Sequence, residues 1–210
     1  MPLPTFTTIS NTPAPSPTMT RTDAATKLGL SPTALDKLVH SGILDLPIPT
    51  ERVSALADRP LLSVTSGELT VLRTDSPQPA SDDDDRTVIG FHTSMENEEI
   101  CDTSLRWWRC DPARVVDNKL LVVTIATIPV AALLVTAHIA QAPSGKRTVR
   151  HRFDGRLLAR LQADGRVVQV SEVADLGRRV RDLMHSRIIT ISGGPIGYLG
   201  PNPERAQPRR

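Results

Sequence analysis

The sequence predicts an α+β protein in two units: a helical N-terminal unit, followed by a small mixed β-barrel with one or two helices. Three observations support this prediction. Apolar residues recur at helical spacing between 21 and 57, strand-like runs dominate residues 87–200, and an acidic stretch at 74–86 (TDSPQPASDDDDR) lies between them. Four consecutive Asp residues repel one another and stay solvated, so this stretch is predicted to be a linker. A chain of 210 residues can supply cores for both units.

Loose tails are predicted at both ends of the chain. Residues 1–20 (MPLPTFTTISNTPAPSPTMT) are rich in Pro, Ser and Thr, which predicts disorder, and residues 201–210 predict a flexible basic tail. Residues 1–20 lack the basic start and long apolar centre of a signal peptide, and Met19 is an alternative translation start. Two unpaired thiols in such a chain predict a cytoplasmic protein.

Charge is unevenly distributed along the chain. The formal net charge is +2, but residues 146–210 hold 14 Lys and Arg against 6 Asp and Glu, which gives +8 there and −6 in residues 1–145. A basic final third favours a surface that faces a polyanion, and solvated Arg side chains are the alternative. Cys101 and Cys110 have neither CxxC spacing nor a nearby histidine pair, so the sequence predicts no metal and no cofactor.

Residues 21–44 (RTDAATKLGLSPTALDKLVHSGIL) predict a helix, a tight turn and a second helix. Thr22 and Asp23 provide an N-cap and an acidic first turn, and Gly29 supplies the left-handed conformation that ends a helix. Ser31-Pro32 then starts the next helix. Apolar residues on the two helices can face one another; they are Ala24, Ala25, Leu28, Leu35, Leu38 and Val39. This is the geometry of a helix-turn-helix, whose second helix can lie in a DNA major groove.

This segment resembles the winged helix-turn-helix of the MerR and excisionase type. Ala25 stands four residues before Gly29, and two leucines follow that glycine by six and nine residues. The residues at 41–44 and 49–57 resemble a shortened wing and a third helix. The resemblance implies that a set of residues on the second helix faces DNA: Thr33, Asp36, Lys37 and His40.

Only Lys37 in this set is firmly cationic. Asp36 would face phosphates unfavourably unless it accepts a hydrogen bond from a cytosine amino group. The alternative is a helix-turn-helix that serves as a packing scaffold or a protein contact. Residues 61–73 (LLSVTSGELTVLR) predict a hairpin around Ser66-Gly67, which would complete a winged unit spanning residues 21–73.

The second unit, residues 87–200, is predicted to begin with a strand (TVIGF) and a helix over residues 94–108. Asp111-Pro112 ends that helix, with one more turn over residues 113–116. Residues 120–140 (LLVVTIATIPVAALLVTAHIA) carry no formal charge, but about half are Val, Ile or Thr, and Pro129 lies near the middle. We expect two buried strands that meet at residues 126–129, and a single membrane span is the alternative.

The rest of the unit is predicted to be mainly strands. Residues 147–153 (RTVRHRF) predict a strand with a cationic face, short elements follow at 157–161 and 167–170, and residues 173–186 predict an amphipathic helix. A last strand is predicted at 187–192. The glycine-rich stretch after it (SGGPIGYLG, 192–200) predicts tight turns rather than a phosphate loop, since no helix follows.

Residues 88–199 also resemble the PUA-like group, which includes ASCH and EVE domains. The matching features are WWR with Asp111-Pro112, the paired apolar strands, the Arg-rich strand that ends in FDG, and the final GGPIGY. The resemblance implies a nucleic-acid-binding barrel, in some members with an aromatic pocket for a base. The candidate nucleic-acid- or ligand-binding residues are Trp107, Trp108, Arg109, Arg147, Arg150, Arg152 and Tyr198, with core packing as the alternative role for the Trp pair.

Together these features predict a DNA-binding protein without catalysis, and analogy with helix-turn-helix proteins points to transcription regulation. RNA is a second candidate partner, and a homodimer is compatible with the sequence. The alternatives are a membrane-anchored regulator, a protein-interaction adaptor and, least favoured, an enzyme that uses His151 as a base oriented by Asp154.

Overall fold

The computed structural model describes residues 17–80, 85–143, 148–173, 175–190 and 194–201. In chain order the elements of that part are β1 (Thr18–Met19), α1 (Arg21–Leu28), α2 (Pro32–His40), β2 (Ile48–Pro49), α3 (Thr50–Ala57), β3 (Leu69–Thr74), β4 (Gln78–Pro79), β5 (Val88–Ile89), α4 (Asn97–Leu105), β6 (Arg106–Trp108), α5 (Pro112–Asn118), β7 (Leu120–Ile125), β8 (Ile128–Pro143), β9 (Val149–Leu161), β10 (Val167–Gln169), α6 (Gly177–Met184) and β11 (Ile196–Leu199). The protein is therefore mixed α and β, with a curled half-barrel sheet.

The turn between α1 and α2 forms as the sequence predicts. Gly29 has a φ of 63° and ends α1, and the side chain of Ser31 accepts a hydrogen bond from the amide of Ala34 at the start of α2. The N-cap of α1 is Thr20 rather than the predicted Thr22, because the helix begins two residues earlier than the cap pattern suggested.

Part of the predicted N-terminal tail belongs to the fold. β1 pairs with β2 in an antiparallel arrangement, and Thr20 caps α1, so residues 17–20 are ordered by contacts with the helical unit. Residues 1–16 and 202–210 lie outside the described ranges.

The main sheet has the strand order β10-β9-β8-β7-β3-β11, and β6 pairs with β9. β7 and β8 turn back on each other at residues 126–127, so the prediction of two strands for residues 120–140 is confirmed. The predicted burial extends only to residue 135, since residues 136–140 are exposed or half-buried. Within the described ranges, none of the helices has the length and apolar character required to cross a membrane.

The predicted hairpin over residues 61–73 is wrong. Leu61 forms a parallel bridge with Arg187, whereas β3 pairs with β7 in parallel and with β11 in an antiparallel arrangement. The physical reason is burial: residues 69–72 are all buried, and a strand buried on both faces pairs within a sheet interior rather than with an exposed edge. The segment expected to complete the helical unit is therefore a strand of the main sheet.

Three other elements differ from the sequence prediction. The helix expected over residues 94–108 is α4, which ends at Leu105 because the next three residues pair with β9 as β6. For the last strand, predicted at 187–192, residues 187–190 form only the bridge between Leu61 and Arg187, and residues 191–192 lie outside the described ranges. The last described strand is β11, where the glycine-rich stretch pairs with β3. In the expected linker, β4 pairs with β5, Asp75 bonds to Lys37 on α2, and Asp85 bonds to Trp107 on β6. The described part of residues 74–86 is therefore held by contacts with the rest of the fold.

Arginine side chains hold the helical unit against the sheet. Arg187 Nη2 donates to the carbonyl oxygen of Leu28 at 2.7 Å, and Arg59 Nη1 donates to the carbonyl oxygen of Met184 at 3.1 Å. Burial, together with the charge of nearby Arg52, lowers the pKa of Arg59 to about 10. These bonds, and one buried apolar cluster shared by the helices and the sheet, fix α2 beside the ends of β3 and β7.

Candidate nucleic-acid interface

The residues predicted to face DNA divide between two environments on α2. Thr33 and His40 are exposed, and Asp36 forms an ion pair with Arg21 on α1. Lys37 instead reaches the sheet, where its Nζ lies 2.6 Å from Oδ2 of Asp75, and both side chains are 37% exposed. The one firm cation of the set therefore already has a carboxylate partner.

A cleft of about 610 Å³ lies between α2 and the ends of the sheet strands. From α2 it is lined by Ser31, Thr33, Ala34 and Lys37. The opposite side is lined by residues 73–76, 78, 89–90, 126 and 194–195, and by Trp108. The structure thus brings together two sets that the sequence analysis treated separately, since Thr33 and Lys37 share this cleft with Trp108.

Asp75 holds one side of this cleft in place. Its carbonyl oxygen accepts from the amide of Phe91 at 2.9 Å, and its Oδ1 accepts from the amide of Ser76 at 2.8 Å. Partial burial raises the pKa of Asp75, but the bonds from Lys37 and Ser76 outweigh that effect and leave the pKa below its usual value. Gly90 is required beside it, because a Cβ there would lie 2.5 Å from the carbonyl oxygen of Ser76 at a φ of +107°.

Trp108 is fixed in the cleft by its own polar edge. The indole Nε1 donates to the carbonyl oxygen of Ser104 at 2.8 Å, and the guanidinium of Arg86 lies 5.2 Å from the ring centroid. The ring also packs against the apolar core. Trp108 therefore combines core packing with a position on the cleft, so the two roles left open by the sequence are compatible.

Trp107 lies on a separate surface, which we call the Asp85 surface and define as Trp107, Arg106, Arg152 and the carboxylate of Asp85. Trp107 Nε1 donates to Asp85 Oδ1 at 2.7 Å, Arg106 Nη1 donates to Oδ2 at 3.0 Å, and Arg152 Nη1 lies 3.9 Å from Oδ2. The bond from Trp107 lowers the pKa of Asp85 most, partial burial opposes it, and the charges of Arg106 and Arg152 lower it further.

The β6 and β9 strands provide the frame of the Asp85 surface. Arg106 on β6 stands opposite Arg152 on β9, and the next strand places Ala140 and Ala142 beside Arg152 and Arg150. Arg147 lies outside the described residues, so its position on this strand stays a prediction.

Tyr198 and Arg109 do not join either group. The Tyr198 hydroxyl bonds to the backbone of Asp111, and the guanidinium of Arg114 lies 4.0 Å from the ring centroid. Glu68 accepts two hydrogen bonds from Arg114, which holds the pKa of Glu68 below its usual value. This cluster ties α5 to β3 and β11. Arg109 is exposed and lines neither the cleft nor the Asp85 surface.

The structure does not assemble the base and carboxylate considered for His151. Its Nδ1 lies 3.1 Å from Nε2 of His138, whereas Asp154 accepts from Thr136 at 3.1 Å. Burial, and then the neighbouring His138, lower the pKa of His151. Burial raises the pKa of the Cys110 thiol to about 12, so it is a poor nucleophile.

Sequence reasoning missed Asp75 and Asp85. Both carboxylates fall in the stretch expected to be a solvated linker, and a run of charges carries no information on which distant cation each member meets. Arg106 directly precedes the Trp pair, so the sequence already places it in one aromatic and cationic cluster with them, but it does not reveal the bond to Asp85. Among the described residues, no group of three or more His, Cys, Asp or Glu side chains is arranged to hold a metal ion.

Comparisons of this chain with protein-family models, with curated proteins and with solved structures find no match.

Proposed function

We propose that this protein binds nucleic acid without catalysis, with DNA as its first candidate target. The observation that carries the proposal is the cleft in which Thr33 and Lys37 of α2 face Trp108 of β6. This arrangement places a hydroxyl, a cation and an aromatic ring around one space. Those are the three groups that proteins use for hydrogen bonds to bases or sugars, for phosphates and for base stacking.

The dimensions of the cleft favour an unstacked nucleotide over an intact duplex. Its volume of about 610 Å³ is that of a small-molecule site, whereas a duplex is read by inserting a protein element into its groove. A base entering the cleft would meet the Trp108 ring, which is worth about 1–3 kcal/mol for a stacked base. Lys37 and Arg73 supply positive charge for its phosphates.

A duplex-binding mode remains the second candidate, because α1, the turn at Gly29 and α2 support a winged helix-turn-helix. In that mode Thr33 and His40 are already exposed, but Lys37 must leave Asp75 before it can reach a phosphate. The PUA-like resemblance of the second unit is in turn consistent with nucleotide capture beside the sheet. Regulation of transcription is the role that analogy with helix-turn-helix proteins supports.

The test is an anisotropy titration with labelled single strands and duplexes of mixed sequence, at two salt concentrations. We expect binding that weakens steeply with salt. Lys37→Ala should weaken it by about three- to tenfold, the usual range for one phosphate contact near a surface. Lys27→Ala is the matched control, because Lys27 carries the same charge on α1, donates to Ser54 Oγ and does not line the cleft.

The outcomes separate the candidates. If Lys37→Ala weakens single-strand binding more than duplex binding, the cleft mode is supported; the reverse order supports the helix-turn-helix mode. An adaptor that binds only proteins predicts no salt-sensitive affinity for either ligand. Equal losses in Lys27→Ala and Lys37→Ala would remove the cleft from consideration.

A further inference from the structure

The Asp85 surface differs from the cleft because its cations already surround an anion of the same chain. Three donor groups from β6 and β9 converge on one carboxylate: the indole N–H of Trp107, the guanidinium of Arg106 and, more distantly, that of Arg152. Guanidinium groups recognise carboxylates and phosphates through the same arrangement of oxygen acceptors. A surface that fits the carboxylate of Asp85 therefore also fits a phosphate.

We infer that the Asp85 surface is a phosphate-binding subsite for a nucleic-acid strand, and that Asp85 occupies it in the free protein. This inference rests on the proposed function, and it adds a second contact site and an intramolecular competitor. It assigns a role to Arg106, Trp107 and Asp85, none of which lines the cleft.

On the Asp85 surface the Arg106 guanidinium is held in place, whereas the Asp85 carboxylate is free to exchange for another anion. The Arg106 side chain is 14% exposed, and its backbone lies in β6, which pairs with β9. Asp85 is 48% exposed and is the last of four consecutive Asp residues. When Asp85 leaves, Arg106 keeps its ion pair with Asp102, so the arrangement of the donors survives the exchange.

The position of the Asp85 surface suits a nucleic-acid strand that also enters the cleft. Trp108 lines the cleft, and Trp107 and Arg106 precede it directly in β6. Arg106 and Trp108 are two residues apart in β6, which is at most about 7 Å of extended chain, so one segment of nucleic acid is expected to reach both sites. The cleft would then hold a base while the Asp85 surface holds a neighbouring phosphate.

Asp85→Asn tests the inference, because the amide keeps the shape of the side chain and removes its charge. We expect the variant to bind a labelled mixed-sequence single strand about three- to tenfold more tightly than the unaltered protein, since no internal ion pairs must be given up. One additional neutralised phosphate should also steepen the slope of log K against log salt by about 0.7. Thermal unfolding of each variant checks that it is folded.

The matched control is Asp154→Asn, which removes one carboxylate charge from β9, the strand that also carries Arg152. Asp154 accepts a hydrogen bond from Thr136 and is not part of the Asp85 surface. We expect it to change affinity by less than about twofold, because exposed charges are screened by salt. Adding Arg152→Gln to Asp85→Asn should abolish the gain.

The inference is overturned if Asp85→Asn binds no more tightly than the unaltered protein while Lys37→Ala still weakens binding; the proposed function then survives alone. An equal gain in Asp154→Asn would also overturn it, because the effect would be general repulsion. Capture of an acidic peptide but not of nucleic acid by Asp85→Asn would assign the surface to a protein partner. If folded forms of all variants bind no nucleic acid at low salt, the inference and the proposed function fail together.

Discussion

The ion pair between Lys37 and Asp75 restrains the cation on which both binding modes depend. Asp75→Asn should release Lys37, and the amide can still accept the hydrogen bond from the Ser76 amide. We therefore expect the variant to bind nucleic acid more tightly while the fold is retained. Among the described residues that line the cleft, Asp75 is also the one carboxylate, so its neutralisation makes this part of the cleft more positive.

The size of the effect follows from the geometry. At the 2.6 Å separation of Nζ and Oδ2, Coulomb's law in bulk water gives about 1.6 kcal/mol. Both side chains are 37% exposed, so salt screening and side-chain entropy reduce this to about 1 kcal/mol or less. A difference of 1 kcal/mol corresponds to a change in affinity of about fivefold, which is the upper bound we expect.

The assay is a double-mutant cycle, with affinity for a single strand and for a duplex measured in the unaltered protein, Lys37→Ala, Asp75→Asn and the double variant. If Asp75 acts by holding Lys37, its replacement should have little effect once Lys37 is absent, and the two changes will be strongly non-additive. If Asp75→Asn increased affinity equally with Lys37 present and with Lys37→Ala, the reasoning would be refuted. The gain would then come from removing the negative charge of Asp75 from the cleft and not from releasing Lys37. A loss of affinity would refute the reasoning as well.

Two further predictions concern the sheet. Because burial and His138 lower the pKa of His151, the folded state resists its protonation; this contribution to stability is complete above the unfolded pKa of about 6.5 and is lost as the pH falls below it. The melting temperature should therefore fall less between neutral and mildly acidic pH in His151→Gln than in the unaltered protein, and parallel pH profiles would contradict this. Gly155→Ala should lower the free energy of unfolding by about 1–3 kcal/mol in denaturant titration, because its Cβ would lie 2.4 Å from the Leu134 carbonyl oxygen. Gly177→Ala is the control, because a Cβ there would lie 3.7 Å from the nearest atom, the Gln169 Nε2. A comparable loss of stability in Gly177→Ala would show that the Gly155→Ala effect does not come from the close contact with Leu134.

Local signals predicted the elements whose boundaries are set by neighbouring residues. Gly29 and Ser31-Pro32 mark the α1–α2 turn because capping and left-handed geometry involve residues only a few positions apart. The paired strands at 120–140 were identified because β-branched residues around a central breaker favour two strands over one long helix. The same reasoning failed for the 61–73 hairpin, since the partners of β3 lie about 50 and 125 residues further along the chain.

The candidate site shows the same contrast between features that are set by near neighbours in the chain and features that depend on distant partners. The types of residue were predictable, because the hydroxyls, cations and paired Trp residues that the proposed binding uses can be read directly from the sequence. The way in which these residues group in space was not predictable from the sequence. Trp108 lines the cleft with α2, whereas Trp107 and Arg106 both bond to Asp85. The pairing of β6 with β9 is irregular between Arg106 and Trp108, so the simple alternation of side chains along a strand does not predict this grouping.

The sequence by itself determined the helices α1 and α2 with the turn at Gly29, the two central strands and the residue types available for the proposed binding. Only the tertiary structure decided that Lys37 is held by Asp75, that Asp85 lies on the guanidinium groups of β6 and β9, and that β3 belongs to the main sheet. Helix caps and turns are fixed by interactions between near neighbours in the chain. Strand pairing and ion pairs join distant residues, whose partners are chosen by how the whole core packs.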